Sequence, residues 1–168
     1  MADQDIIDQK GYRRGVGIVV CDSRAKVLLA RRRDHRGWQF PQGGVRPDES
    51  PREAMYRELK EELGLDPAHV REMARMRSWV SYRLPARHRR SAGPPCIGQK
   101  QLWWLLRLES GDEAVRLELA DEPEFDAWKW VDYWLPAREV VFFKRAVYQQ
   151  VLTEFEESVA VRAAGSMR

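Results

Sequence analysis

The chain of 168 residues has few cysteines and few histidines. Its two cysteines, Cys21 and Cys96, have no paired spacing, so neither a disulfide framework nor a zinc site is expected, and a reducing compartment fits. The three histidines, His35, His69 and His88, stand at no metal-ligand spacing from one another. We therefore expect them to be surface or loop residues.

Long apolar runs are also absent. The longest, 16–21 and 102–106, are far too short to cross a bilayer, and the acidic start of the chain lacks the basic and apolar regions of a signal peptide. The net charge of +3 does not by itself indicate a nucleic-acid partner. We therefore expect a cytoplasmic protein without a membrane partner, whose protein partners are unknown.

The sequence also contains no internal repeat, no Gly-x-Ser-x-Gly pattern and no Walker-type loop, so a covalent serine nucleophile and a P-loop are not indicated. Its apolar fraction of 43% and charged fraction of 33% are those of one globular domain. Strands are predicted at 15–21, 26–31, 70–82, 99–108, 115–119 and 127–131, with a short extended piece at 38–40. A long late helix is predicted at 145–161, with a frayed end at 163–168. Many strands together with few helices indicate an α/β or α+β fold class with a mixed sheet.

A central helix over 51–63 has clear boundary signals. Ser50 is a good N-cap, Pro51 suits the first helical position, and Glu53 is placed to complete a capping box. Gly64 follows the helix, where a left-handed C-cap needs glycine. These signals predict both ends of the helix.

Three glutamates share one face of this helix. The spacing of Glu58, Glu61 and Glu62 puts them within an arc of roughly 100°. Like charges this close repel one another, so the residues alone leave two readings, simple exposure to water or a cation held by hard oxygen ligands. Mg²⁺ is the cation that such ligands suit.

The surrounding pattern decides between these readings. Gly43 is followed after five residues by Glu49, and after seven more by the segment 57–65, which reads Arg-Glu-Leu-Lys-Glu-Glu-Leu-Gly-Leu. Seven fixed residues and two apolar positions match a complete Nudix box, a coincidence of on the order of one in a billion at average residue usage. The chain therefore resembles the Nudix hydrolases.

The resemblance implies a Nudix-type α/β/α sandwich with a central mixed β-sheet and a box at 43–65. Around it we expect a lead-in at 1–10, the domain at 11–155, and the helix end with a frayed tail at 156–168. It also implies Mg²⁺, with Mn²⁺ or another divalent cation able to substitute, and water attack on a phosphoanhydride bond. The metal ligands it implies are Glu58, Glu61, Glu62 and the carbonyl of Gly43, with Arg57 orienting a carboxylate and Glu49 in a supporting position.

Motifs outside the box resemble the bacterial RNA pyrophosphohydrolases, which convert 5′-triphosphate or 5′-diphosphate RNA ends to monophosphates and so begin messenger decay. These motifs lie at 11–13, 38–44, 82–85, 96–101, 123–128 and 143–148. The resemblance implies that Glu124 is a further metal ligand or base, and that Arg32 and Phe143 sandwich a base. The other substrate-binding residues it implies are Arg13, Gln99 and Lys144 on the phosphates, with Tyr82 and Trp38 nearby.

Some alternatives stay open at this point. Phe143 is equally a candidate core residue, the arginines at 31–33 could be a solvated strand end, and the basic loop with Arg83, Arg87, His88, Arg89 and Arg90 could be simple surface or could follow an RNA backbone. Leu102 stands where the family has a basic residue, so no basic contact is expected there. Dinucleoside polyphosphate hydrolases share most of these motifs and are the alternative function. A non-catalytic nucleotide-binding Nudix module is a third reading, opposed by the intact box glutamates.

Overall fold

The computed structural model describes residues 6–89 and 95–165, with side chains as far as residue 160. An eight-stranded mixed sheet lies between helices. The strands are β1 (Tyr12–Cys21), β2 (Val27–Arg32), β3 (Trp38–Gln39), β4 (Gln42–Gly44), β5 (Val70–Arg75), β6 (Val80–Arg83), β7 (Gly98–Leu108) and β8 (Phe125–Val131). The helices are α1 (Pro51–Leu63), α2 (Leu135–Glu139) and α3 (Arg145–Gly165). No helix in this described part of the chain is long and apolar enough to cross a membrane.

The sheet is built around β1. This strand runs parallel to β7 along its whole length, whereas every other pairing in the sheet is antiparallel. Its end pairs with β2 in the predicted hairpin, and its middle, residues 15–17, pairs with β4. The short strand β4 therefore brings the loop before α1 directly onto the centre of the sheet.

Alternate residues of β1 face two separate cores. Val16, Ile18 and Val20 pack with the apolar face of α1, whereas Val19 and Cys21 pack with α3 on the other side of the sheet. Each layer excludes water because its helix presents an apolar stripe to the sheet. This arrangement confirms the predicted α/β/α sandwich with a central mixed sheet.

Two predicted strands differ from the structure. The segment 70–82 forms two strands rather than one, because β5 and β6 pair with different parts of β7. The predicted strand at 115–119 is wrong: the segment contains a 3₁₀ turn, Leu117–Leu119, and follows another, Asp112–Ala114. Arg116 N–H donates to Leu63 O at 2.8 Å, so this backbone satisfies the end of α1 instead of a strand partner.

The chain ends also differ in part from the prediction. Helix α3 continues to Gly165, beyond the predicted start of fraying at residue 163. Residues 166–168 of the predicted tail, residues 1–5 of the predicted lead-in, and Arg90 of the basic loop lie outside the described residues.

Both predicted boundaries of α1 are confirmed. Ser50 Oγ accepts a hydrogen bond from Glu53 N–H at 3.2 Å and donates to Glu53 Oε1 at 3.2 Å, so Glu53 supports the cap through its side chain. Gly64 closes the helix with φ of 72°, and its N–H donates to Lys60 O. The helix is therefore fixed at both ends, together with the glutamates that it carries.

Removing the N-cap should test this link between the helix end and the glutamates. We expect Ser50→Ala to lower the free energy of unfolding by about 1 kcal/mol, because the first turn loses a hydrogen-bond acceptor. The apparent affinity for Mg²⁺ should weaken as well, since the glutamates lie on the same helix. Chemical denaturation and a Mg²⁺ titration of activity measure the two effects. A loss of stability with unchanged Mg²⁺ affinity would show that the cap and the glutamates are not coupled.

Candidate active site

Six carboxylates line a cavity of about 350 Å³ at the solvent-facing edge of α1, two of them Asp121 and Glu122 in the loop before β8. Glu58, Glu61 and Glu62 come from the helix, and Glu124 comes from the loop before β8. Glu124 is held in place because its carbonyl accepts a hydrogen bond from Arg33 N–H at 2.9 Å. The structure therefore brings together the four carboxylates that the sequence singled out.

Arg57 organises the carboxylates from one side. Its Nε and Nη2 donate to the two carboxylate oxygens of Glu49 at 3.0 and 2.6 Å, and Nη2 also donates to Gly44 O at 2.7 Å. Its Nη1 donates to Glu58 at 2.8 Å and to Glu61 at 3.2 Å. The bidentate pair with Glu49 fixes the guanidinium plane, so Arg57 holds two cavity carboxylates in defined positions. The supporting position expected for Glu49 is thus a direct contact with Arg57.

Gly43 lies in direct contact with the Glu58 carboxyl group. A Cβ atom placed on Gly43 would be 1.9 Å from Glu58 Cδ, so any side chain there would displace the carboxylate. The next loop residue upstream is also tied to the cluster, since Gln42 N–H donates to Glu62 Oε2 at 3.1 Å. The close approach to Glu58 explains the glycine at 43, whereas a Cβ atom on Gly44 would lie 2.5 Å from Arg13 Nη2, so the second glycine leaves room for that guanidinium.

The cavity strongly favours positive charge. Burial, with smaller contributions from Glu61 and Glu124, raises the pKa of Glu58 to about 7, although Arg57 opposes this shift. Burial and the neighbouring carboxylates of Glu58 and Glu124 raise the pKa of Glu62 well above its usual value. Glu62 Oε1 is buried and has no hydrogen-bond partner among the residues that the structure describes. Buried carboxylates in this state are stabilised by a proton or by a cation.

These residues fit a divalent cation of the Mg²⁺ type. The donors are hard oxygens, two of the carboxylates are buried, and one buried oxygen lacks a partner. In residues 6–89 and 95–165, however, no group of three or more His, Cys, Asp or Glu side chains is arranged closely enough to hold an ion. The contacts of Arg57 with Glu58 and Glu61 account for this, because they direct both carboxylates to the guanidinium.

The raised pKa of Glu58 predicts how the stability of the metal-free protein depends on pH. The folded state binds more protons than the unfolded chain between about pH 4.5, the usual value for glutamate, and pH 7. Stability without metal should therefore fall as the pH rises through this window, by about 1.4 kcal/mol for each unit of pKa difference. Glu58→Gln should flatten the profile measured by denaturation in EDTA, whereas Glu53→Gln, on the exposed first turn, should not. A metal-free stability that increases from pH 5 to 7 would contradict the assignment.

A second, larger cavity of about 590 Å³ is basic and aromatic. It is lined by six of the seven residues expected to contact substrate, namely Arg13, Arg32, Tyr82, Gln99, Phe143 and Lys144. Gln42 joins the two cavities, because its backbone contacts Glu62 while its side chain lines the larger cavity. Trp38 is the exception: it lies outside, with Lys129 Nζ 4.2 Å from its ring centroid. Neighbouring residues of a strand point to opposite faces, so Gln39 lines the cavity in its place.

Among the described residues, Lys144 is a buried ammonium group without an ion pair. Its side chain is only 6% exposed, its Nζ donates to Gln39 Oε1 at 3.3 Å, and Nζ lies 5.9 Å from the Tyr82 ring centroid. Within the part of the chain that the structure describes, no carboxylate pairs with it. Burial, together with the positive charge of Arg32, lowers the pKa of Lys144 to about 8. A buried cation in this state would be stabilised by an anionic ligand.

Arg32 and Phe143 line the larger cavity and also make contacts within the fold. Arg32 donates through Nε to Asp34 Oδ1 at 3.0 Å and through Nη2 to Asp34 Oδ2 at 2.5 Å, which fixes its guanidinium at the cavity wall instead of in open solvent. Phe143 packs partly against the core below α3 and also faces the cavity. Its ring lies 6.0 Å from Tyr82 and 5.2 Å from His88 between centroids. Phe143 is therefore both a core contact and an aromatic wall.

Several residues in or beside the cavity escaped the sequence reasoning. Gln101 is buried and does not itself line the cavity, but its Nε2 donates to two residues that do, Gln42 at 3.2 Å and Gln99 at 3.4 Å. His88, expected to be a surface residue, lines the cavity through its contact with Phe143. The signal for Gln101 was its place in the 96–101 motif, whereas His88 had none, because it lies in a basic loop whose path only the fold determines.

Comparisons with known proteins agree with this geometry. The family model described as NUDIX domain matches residues 11–151. A protein of Halorhodospira halophila called RNA pyrophosphohydrolase is 53% identical over 149 residues, which cover 89% of this chain and 82% of that protein. A protein of Shewanella piezotolerans with the same name is 54% identical, covering 89% of this chain and 87% of its own length. The solved E. coli dihydroneopterin triphosphate pyrophosphohydrolase matches with a TM-score of 0.66 at 23% identity, over 84% of this chain and 95% of that one, which shows a shared fold.

Proposed function

The chain belongs to the NUDIX domain family, and on that premise we propose that it is an RNA 5′-pyrophosphohydrolase. It hydrolyses a phosphoanhydride bond at a 5′-triphosphate or 5′-diphosphate RNA end, leaves a 5′-monophosphate and so promotes messenger decay. The domain at 11–155 carries this activity, and the proposal places it in the cytoplasm, where such RNA ends occur.

The observation that carries the proposal is the pairing of two cavities with opposite charge. A cluster of carboxylates adjoins a cavity that contains a buried ammonium group without a carboxylate partner among the described residues. A polyphosphate that binds together with a cation needs both, because the carboxylates would hold the cation and the remaining phosphate oxygens need positive charge. The aromatic wall beside Lys144 adds a surface on which a base can stack.

We assign the metal to Glu58, Glu61, Glu62, Glu124 and the carbonyl of Gly43, with Mg²⁺ as the natural ion and Mn²⁺ as a substitute. When bound, the cation neutralises phosphate charge and acidifies a water molecule. The donor chemistry supports this choice, since hard carboxylate oxygens prefer such ions.

The chain's own residues then perform three tasks. Arg57 orients Glu58 and Glu61, and one carboxylate of the cavity accepts the proton of the attacking water. Arg13, Gln99 and Lys144 hold phosphate oxygens, while Arg32 and Phe143 sandwich a base beside Tyr82. The water oxygen forms a bond to the phosphorus next to the RNA, and pyrophosphate or phosphate leaves with the electron pair of the broken anhydride bond.

The proposal is tested by following the RNA end itself. Incubation of a 5′-triphosphate RNA with the protein and Mg²⁺ should produce RNA that a 5′-monophosphate-dependent exonuclease degrades. EDTA should abolish the reaction, and Mg²⁺ or Mn²⁺ should restore it. RNA that stays resistant to the exonuclease at saturating protein would overturn the proposed function.

Lys144 offers a sharper test of the basic cavity. We expect Lys144→Met to weaken binding of triphosphate RNA of any sequence and to reduce the slope of log affinity against log salt by about 0.7, the value for one phosphate contact on a single strand. The matched control is Lys26→Met, because Lys26 is an exposed lysine that pairs with Asp132 outside both cavities. Equal salt slopes for the wild type and Lys144→Met would remove Lys144 from the phosphate contacts.

A further inference from the structure

Phe142 exposes an aromatic ring at the rim of the basic cavity. Its side chain is 56% exposed, and among the described residues it is the only aromatic one in the group of exposed large apolar side chains. It precedes Phe143 and Lys144 in one short turn, and its ring stands at 88° to that of Phe143 with centroids 5.4 Å apart. Burying such a ring would be favourable, so its position at a cavity rim indicates a ligand that covers it.

Arg87 supplies positive charge at this rim. Arg87 is exposed, and its Nε donates to His88 Nε2 at 3.2 Å. In the described residues no carboxylate pairs with Arg87, so its charge is available to a ligand. Both residues line the same cavity as Phe142. An aromatic ring and a guanidinium group at one rim together suit a nucleobase and its phosphodiester.

The direction of the RNA through the cavity follows from the charges. Its 5′ phosphates lie toward the carboxylates, which contact the cavity through Gln42, and the base sandwich of Arg32 and Phe143, which takes the second nucleotide, comes next. The RNA then leaves the cavity past its rim. This order rests on the proposed function and extends it by one nucleotide.

We infer that Phe142, with Arg87 and His88, forms a subsite for the third nucleotide of a single-stranded RNA 5′ end. Phe142 stacks the base, whereas Arg87 and His88 contact the phosphodiester that precedes it. Stacking on a ring tolerates every base, so the subsite measures the length of the unpaired end and not its sequence. A 5′ end paired from its third nucleotide onward cannot use it.

The test compares three substrates: a 5′-triphosphate dinucleotide, the corresponding trinucleotide, and a trinucleotide whose third position is abasic. The ratio of kcat/KM for the trinucleotide to that for the dinucleotide should be about tenfold in the wild type, the size of one base–aromatic stack. The abasic substrate should lose most of this gain. Phe142→Ala should bring the ratio close to one, and Phe142→Tyr, which keeps the ring, should preserve it.

Two further variants separate the base contact from the phosphate contact. Val141→Ala removes an exposed apolar side chain from the adjacent position without removing a ring, and should keep the ratio within about twofold. Arg87→Ala should weaken the trinucleotide and the abasic trinucleotide alike, because both retain the phosphodiester.

The outcomes distinguish this subsite from the proposed function. The subsite is overturned if the wild type has similar kcat/KM values for the dinucleotide and the trinucleotide, or if Phe142→Ala keeps the wild-type ratio of these values. In either case the RNA activity stands, and a protein partner becomes the alternative ligand for the exposed ring. If the wild type turns over neither RNA, the proposed function fails and the subsite fails with it.

Discussion

Replacing Glu58 by glutamine is expected to lower kcat at least a hundredfold, a loss in keeping with the contribution of a general base or its equivalent. The substitution keeps the size of the side chain and its helix propensity but removes one negative charge from the carboxylate cavity. Glutamine also cannot supply a charged oxygen to the cation. Steady-state turnover of triphosphate RNA at saturating Mg²⁺ measures the effect.

Folding should survive this substitution, which makes the test clean. Burial of Glu58 already opposes its charge, so the metal-free melting temperature of Glu58→Gln should equal or exceed that of the wild type. Glu53→Gln makes the same chemical change on the same helix but away from the cavity, and its activity should stay within about twofold of the wild type. Undiminished turnover by Glu58→Gln would remove Glu58 from the site.

Truncation of Phe143 is expected to cost roughly 1–3 kcal/mol of RNA binding, or about 5–150-fold, if the ring stacks a base. The loss should be larger for a short triphosphate RNA than for GTP, because free GTP has no second nucleotide to occupy the sandwich of Arg32 and Phe143. The measurement is kcat/KM of Phe143→Ala on triphosphate RNA, diadenosine tetraphosphate and GTP, together with its melting temperature.

The core contacts of Phe143 define the competing outcome. Phe155 is fully buried in the same apolar layer and lines neither cavity, so Phe155→Ala shows the pattern of a pure core truncation. That pattern is a loss of about 3–5 kcal/mol in the free energy of unfolding, with a lower melting temperature and every substrate affected alike. If Phe143→Ala behaves in the same way, its ring is a core residue and does not stack a base.

Local signals explain why parts of the fold were predictable. The ends of α1 are set by Ser50 and Gly64, whose roles depend only on their immediate neighbours, and the structure has both where the sequence predicts them. The 115–119 segment looked like a strand because apolar and charged residues alternate along it, in the order Val-Arg-Leu-Glu-Leu. Its true conformation depends on the contact of Arg116 with the end of α1, which no local pattern records.

The same division applies to the candidate site. The helical spacing of Glu58, Glu61 and Glu62 and the box around them were sufficient to predict one acidic cavity. The larger cavity combines residues from five separated stretches of the chain, so its membership depended on resemblance. Resemblance identified Lys144 but not Phe142 or His88, because those two lie at the rim, where the path of a loop decides which side chains meet.

The central claim, that this site acts on RNA 5′ ends, is tested most directly by competition between two substrates. Equal concentrations of a 5′-triphosphate RNA and diadenosine tetraphosphate, incubated together with the protein and Mg²⁺, give the ratio of the two kcat/KM values from the initial rates. If the site acts on RNA 5′ ends, the RNA is consumed first. Preferential hydrolysis of diadenosine tetraphosphate would contradict it and would assign the protein to the dinucleoside polyphosphate hydrolases.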